Sequence, residues 1–93
     1  MNFLVRVPVT LGSSAGLEST PRSVTRVPGF RQLIPVPSDR HSFEIEFEVE
    51  AGSAIDALDA AEDEVAIYED ALEQYSAKVG SPVEVELLVG ALV

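Results

Sequence analysis

Within the stretch from His41 to Gly52, HSFEIEFEVEAG, residues 43–50 alternate apolar and acidic side chains without a break. Its apolar members are Phe43, Ile45, Phe47 and Val49, and the acids between and after them are Glu44, Glu46, Glu48 and Glu50. Strict period-two alternation is typical of a strand that is buried on one face only. We therefore predict a strand whose apolar side chains face a core and whose glutamates face water.

Three further segments are predicted as strands. Asn2–Leu11 alternates in the same way, and because Pro8 has no N–H to donate, it indicates a sheet edge or a bulge at that point. Phe30–Val36 is shorter, and its prolines place it at a sheet edge or in an extended arm. The last strand is Val83–Val89, from which the apolar tail Val89–Val93 continues the chain.

Residues 53–79 are predicted to form one long amphipathic helix. Ser53 is a good N-cap, Gly80 is a natural residue just after a helix, and Pro82 prevents continuation. Apolar residues recur every three or four positions, as one helix face requires: Ala54, Leu58, Ala61, Val65, Tyr68, Leu72, Tyr75 and Val79.

The predicted elements follow the order β-loop-β-β-α-β, with residues 12–29 as a flexible loop or arm. A chain of 93 residues has the length of one domain. We expect a single α+β domain over residues 1–93, in which a small four-stranded sheet carries the long helix on one face. This order resembles a degenerate ferredoxin-like (split β-α-β) topology in which the loop replaces the first helix, and the resemblance implies the strand order 4-1-3-2.

The charge is strongly negative and unevenly distributed. Six basic and sixteen acidic residues give a formal net charge of −10. Residues 1–41 have a net charge of +3, and residues 42–93 have a net charge of −13. Direct binding to nucleic acid or to an anionic membrane is disfavoured, because both require cationic groups. Charge asymmetry of this kind favours contact with another macromolecule, or pairing of the two halves with each other.

The absence of cysteine excludes a disulfide framework, a thiolate metal site and a cysteine nucleophile. The N-terminal apolar run is a poor signal peptide, because Arg6 and Pro8 interrupt it and no basic residue precedes it. We expect a cytoplasmic protein, or one that is incorporated into an intracellularly assembled particle.

No pattern of catalytic residues is present. His41 is the only histidine, and the sequence has no nucleophile elbow, phosphate loop or zinc-protease motif. Strand neighbours on one face are about 6.7 Å apart, too far for one row of glutamates to enclose a calcium ion. We therefore predict no enzymatic activity, no cofactor and no catalytic or metal-binding residue.

The predicted helix carries an acidic face opposite its apolar stripe. All of its carboxylates except Glu64 lie within an arc of about 140°, and no lysine or arginine occurs among them: Asp56, Asp59, Glu62, Asp63, Glu69, Asp70 and Glu73. A face that serves only solubility usually mixes both signs of charge. We interpret this face as a partner-binding surface, with solubility alone as the alternative.

A basic segment over residues 22–40 is the second predicted contact surface. It contains Arg22, Arg26, Arg31 and Arg40, interleaved with apolar residues. Arginine and aromatic residues are enriched at protein interfaces. The segment is interpreted either as an arm that lies on the acidic face of another copy or partner, or as a strap within the chain.

The resulting functional hypothesis is a non-enzymatic, acidic protein–protein interaction module that binds a protein partner or assembles with itself. The alternative is an inhibitor that mimics nucleic acid and occupies a DNA- or RNA-binding protein, of the kind that phages and mobile elements encode. A weaker alternative is a small ligand- or metal-binding domain.

Overall fold

A computed structural model describes residues 1–12 and 21–88. Residues 13–20 of the predicted loop and the predicted apolar tail over residues 89–93 lie outside the described part of the chain. The strands and helices in chain order are β1 (Asn2–Thr10), α1 (Arg22–Thr25), β2 (Phe30–Val36), β3 (Asp39–Glu50), α2 (Ala54–Ala71), β4 (Lys78–Val79) and β5 (Glu84–Leu88).

The five strands form one antiparallel sheet with β1 near its centre. β1 pairs with β3 along its whole length, from Asn2 opposite Glu50 to Thr10 opposite Ser42. β2 pairs with the edge of β3 that faces away from β1. β4 and β5 both pair with the edge of β1 that faces away from β3. The prediction of a small α+β domain with one long helix is confirmed. The specific comparison with the ferredoxin-like topology stays a prediction.

The core lies between the sheet and α2. The alternating apolar residues of β1 and β3 point into it, and Tyr68 of α2 is fully buried against them. The Tyr68 ring centre lies 5.2 Å from that of Phe47 and 6.4 Å from that of Phe30. Burial of each large apolar side chain contributes about 1.5–3 kcal/mol, so these contacts fix the helix on this face.

Pro8 lies opposite the interruption between β4 and β5. The Gly80 N–H donates to the Pro8 carbonyl over 2.8 Å, so Pro8 directs its backbone toward the β4–β5 side of β1. The pairing register shifts by two residues along this edge, from Val9 opposite Val79 to Arg6 opposite Glu84. The missing N–H of Pro8 therefore falls where the neighbouring strand bulges, as the sequence predicts.

The long helix ends earlier than predicted, and the range 53–79 is wrong at its C-terminal end. α2 stops at Ala71, a 3-10 turn follows at Glu73–Tyr75, and Ser76 adopts a left-handed conformation with φ of 52°. Val79 is buried as part of β4 instead, where it pairs with β1. The apolar stripe continues past the helix because each of these local structures buries the next apolar residue.

The basic segment 22–40 is part of the folded domain. Arg22–Thr25 form the short helix α1 within the predicted loop, and Phe30–Val36 form an edge strand of the sheet. Val24 and Val27 are buried in the core and hold the segment in place. The segment therefore packs on its own chain, and contact of its arginines with another copy or partner stays a prediction.

Candidate protein-binding surfaces

The acidic face of α2 and of the turn after it is exposed to solvent. All seven carboxylates that the sequence assigns to this face belong to exposed residues: Asp56, Asp59, Glu62, Asp63, Glu69, Asp70 and Glu73. Ser53 begins the helix, and its hydroxyl accepts a hydrogen bond from the Asp56 N–H at 3.2 Å. The ion pairs found among residues 1–12 and 21–88 involve only sheet residues, so none of them neutralises these seven acids.

This concentration of negative charge is locally unfavourable to the helix. Asp59 and Asp63 are like charges one turn apart, a spacing that costs about 0.2–0.5 kcal/mol. Glu69 and Asp70 lie in the last turn, where the helix dipole disfavours anions, and that turn contains no basic residue. The sequence retains acids where basic or neutral residues would stabilise the helix better.

Contacts from α1 partly offset the unfavourable charge at the C-terminal end of α2. The Ser23 hydroxyl donates a hydrogen bond of 2.7 Å to the carbonyl oxygen of Ala71, one of the carbonyls that a helix end leaves without an internal partner. Arg22 lines a groove of about 500 Å³ together with Asp70 and Glu73. The basic segment thus lies beside the acidic end of α2.

A row of polar side chains crosses four strands on the open face of the sheet. Arg6 on β1 lies opposite Glu84 on β5 and Glu46 on β3, and Glu46 lies opposite Gln32 on β2. Arg6 donates to Glu84 over 3.1 Å and to Glu46 over 3.0 Å. The hydrogen bond to Glu46 raises the pKa of Arg6. The row links β5, β1, β3 and β2 in one register.

A second contact on this face involves Glu48. Its carboxylate accepts a hydrogen bond of 2.9 Å from Arg31 and one of 3.0 Å from Asn2. Several sheet glutamates are therefore paired, whereas the seven acids on and after α2 are not paired within the described residues. Sequence reasoning missed the role of Arg6. Its position in the alternation of β1, out of phase with the valines, is the signal that places it with the glutamates.

Glu64 is the α2 acid outside the exposed arc, and it lies against the core. It is half-buried, and among the described residues its Oε2 and the Tyr68 hydroxyl are both buried without a hydrogen-bond partner. Burial, and then the charge of Asp63, raise the pKa of Glu64. Burial, and then the charge of Glu64, raise the pKa of the Tyr68 hydroxyl. Buried polar atoms without hydrogen bonds lower the stability of a fold, and this pair places two of them on one face of α2.

The predicted arginines do not form one continuous patch. All four are exposed, but Arg22 and Arg26 belong to α1 and its C-terminal end, Arg31 to β2 and Arg40 to β3. Arg31 pairs with Glu48 of its own chain. The basic segment therefore offers separate cationic groups rather than a single binding strip.

Neither a metal centre nor a membrane span is found in the described ranges. No group of three or more histidine, cysteine or acidic side chains there is arranged to hold an ion. His41 is half-buried, and its Nδ1 has no hydrogen-bond partner among these residues. Neither α1 nor α2 combines the length and the apolar character that crossing a bilayer requires.

Comparison with known proteins adds no relative to this description. No family model, no curated protein sequence and no solved structure matches the chain.

Proposed function

We propose that the protein is a non-enzymatic interaction domain that binds a basic protein surface through the acidic face of α2 and the turn after it. One observation carries this proposal. Seven exposed carboxylates share this face, and no ion pair among residues 1–12 and 21–88 neutralises them. A set of like charges that weakens its own helix is better explained by a partner than by solubility alone.

The rest of the fold supports this use of α2. Its buried side chains, Ala57, Ala61 and Tyr68, fix the helix on the sheet, so the carboxylates are presented from a rigid element. α2 follows β3 and leads to β5, with β1 between these two strands in the sheet. We infer that this is a degenerate split β-α-β arrangement of the ferredoxin-like kind. We also infer that the protein acts in the cytoplasm or in a particle assembled there.

The partner is either another protein or a second copy of the chain. Arg22, Arg26 and Arg40 are exposed and supply cations that another copy's α2 could bind. Contact between two different surfaces of identical chains generates rings or open arrays. In either case the association is salt-dependent, because exposed charges are screened within about 3 Å at 1 M salt.

Charge-neutral variants test this proposal directly. In the test variant Asp59, Asp63, Glu69 and Asp70 are replaced by their amides, which removes four charges with little change in shape. The control replaces Glu44 and Glu50 of the sheet by glutamine, and a second α2 variant, in which only Asp59 and Asp63 become asparagine, matches its change in net charge. Crosslinking and mass spectrometry in the native cell extract, with sedimentation of the purified protein, identify the partner and the self-association state.

The proposal predicts that partner capture or self-association is lost in the α2 variant and retained in the sheet variant. Equal binding by the wild-type protein and the α2 variant would refute it. Equal losses in the sheet variant and in the charge-matched α2 variant would show that only net charge matters.

Mimicry of nucleic acid is the second candidate function. The observation that favours it is the presence of acids on both faces, with Glu44, Glu50 and Glu86 exposed or half-exposed on the sheet side. A mimic encoded by a phage or mobile element would compete with DNA or RNA for the partner's basic cleft. Displacement of the captured partner by duplex DNA would favour this function, and a partner that binds no nucleic acid would eliminate it.

A further inference from the structure

We propose that the outer edge of β5 binds an extended peptide of alternating basic and apolar residues, which adds a strand to the sheet. This inference rests on the proposed function only in treating the protein as an interaction domain. The proposed surface is separate from the acidic face of α2 and lies at the edge of the sheet opposite β2.

The two edges of the sheet differ in how well they are protected against pairing with another strand. β2 contains Pro35, is followed by Pro37 and has an irregular register at Arg31, all of which hinder further pairing. β5 contains no proline and keeps a regular register with β1 from Glu84 to Leu88. Within the described ranges, no strand pairs with β5 on the side away from β1. β5 is thus the less protected edge.

The register gives the direction of the backbone groups on β5. The Arg6 carbonyl accepts from the Val83 N–H, so Arg6 directs its backbone toward this edge. Glu84 and Glu86 lie opposite Arg6 and Leu4 and direct their backbones toward β1. Backbone direction alternates along an antiparallel strand, so the N–H and C=O groups of Val85 and Leu87 point outward. These are the groups to which an added strand would bind.

The side chains at this edge alternate in chemistry. Glu84 and Glu86 lie on the open face of the sheet and are both exposed. Val83 is 59% exposed, and Leu87, on the α2 side of the sheet, is 46% exposed. α2 contacts β5, and Leu58 of α2 is 39% exposed. A strand laid along β5 would thus meet carboxylates on one face and uncovered apolar side chains on the other.

These two faces define the occupant. Basic residues at every second position would lie beside Glu86 and beside Glu84, whose Oε2 also accepts a hydrogen bond from Arg6. Apolar residues between them would cover Leu87. A second β5 is a poor occupant, because antiparallel pairing of two copies would bring glutamates together on the open face. The acids therefore oppose pairing of the chain with itself and favour a basic strand.

The probe is a synthetic peptide of alternating lysine and valine, about seven residues long to match a typical strand. Binding is measured by fluorescence anisotropy, and the amide signals of the intact protein are followed by NMR and hydrogen exchange. The proposal predicts saturable binding and slowed exchange at the Val85 and Leu87 amides. A matched peptide N-methylated on alternate backbone nitrogens should bind at least tenfold more weakly.

Two protein variants make the test specific. Glu86→Lys should weaken binding of the lysine–valine peptide roughly three- to tenfold and strengthen binding of the corresponding glutamate–valine peptide, as expected for a cross-strand charge pair. The α2 variant with four amides should bind the lysine–valine peptide to β5 as the wild-type protein does. This separates failure of the β5 site from failure of the proposed function.

Equal affinity for the methylated and unmethylated peptides would overturn the proposal, because it would reduce binding to general charge attraction. Loss of binding in the α2 variant, or protection confined to α2 amides, would overturn it as well, by assigning the peptide to the acidic helix face.

Discussion

Arg6 Nε lies 3.0 Å from Glu46 Oε2, and this contact joins the one charged residue of β1 to a glutamate that is only 5% exposed. The second oxygen of Glu46 accepts a 3.0 Å hydrogen bond from Gln32. Both oxygens of this buried carboxylate therefore have donors. A buried charge is tolerated only when it is paired in this way.

The first prediction is that Arg6→Met destabilises the protein more than the double replacement of Arg6 and Glu46 by Met does. The single change leaves the buried Glu46 carboxylate without its cation, whereas the double change removes the charge with its partner. Urea unfolding of the two variants measures the difference.

Arg31→Met is the matched control for Arg6→Met. Its pair with Glu48 is more exposed, and its loss should cost about 0.5 kcal/mol or less. The assigned role of Arg6 would be wrong if the double variant were less stable than Arg6→Met.

The second prediction concerns the Tyr68 hydroxyl, which is buried and has no hydrogen-bond partner among the described residues. Tyr68→Phe keeps the ring in contact with Phe47 and removes the unsatisfied group. An unsatisfied buried polar group costs about 1–3 kcal/mol, so we expect the variant to be more stable by about 1 kcal/mol. Thermal and urea unfolding test this gain. Tyr75→Phe, at a half-buried position, is the control and should change stability little. A less stable Tyr68→Phe would contradict the prediction.

The strands could be predicted from the sequence because alternation and one-sided burial have the same period of two. The end of the helix could not. Leu72, Tyr75 and Val79 continue the spacing of three and four residues, yet they are placed by a helix end, a 3-10 turn and β4 respectively. The spacing of apolar residues indicates which residues are to be buried, but it does not show which local structure buries each of them. Strand pairing of Val79 with Val9 is a tertiary contact that the local pattern does not contain.

The exposure of the seven acids could be predicted because helix geometry puts six of them on one side of α2. Glu73, in the 3-10 turn that follows, is exposed as well. The pairing of the sheet glutamates could not be predicted to the same extent. It depends on the register between β1, β3 and β5, which sets Arg6 between Glu46 and Glu84. The burial of the Glu64 and Tyr68 polar atoms could not be predicted either, because it depends on how α2 is oriented about its own axis relative to the sheet.

The third prediction concerns Gly29, the residue before β2. Its φ is +87°, and a Cβ atom there would lie 2.5 Å from the carbonyl oxygen of Glu48. Gly29→Ala therefore combines backbone strain with a backbone clash and should cost about 1–3 kcal/mol. Gly52→Ala is the control, since the nearest atom to its added Cβ is a side-chain oxygen of Asp56 at 3.5 Å. Urea unfolding should separate the two variants clearly. Equal stabilities would show that the turn at Gly29 rearranges at no cost.

The last prediction is a pH dependence that originates at Glu64. Burial raises the pKa of this carboxyl above its ordinary value, so between the unfolded and folded pKa values the folded protein binds more protons than the unfolded chain. The contribution of Glu64 to stability therefore falls as the pH rises through this window. Glu64→Gln should match the stability of the wild-type protein below the unfolded pKa and exceed it above the folded pKa, because the amide carries no charge to be desolvated. Urea unfolding across a pH series measures the difference. Glu62→Gln, at an exposed position, controls for the general loss of one negative charge. If the gain in stability of Glu64→Gln were the same at every pH, or were equal to that of Glu62→Gln, the pH dependence would not originate at Glu64.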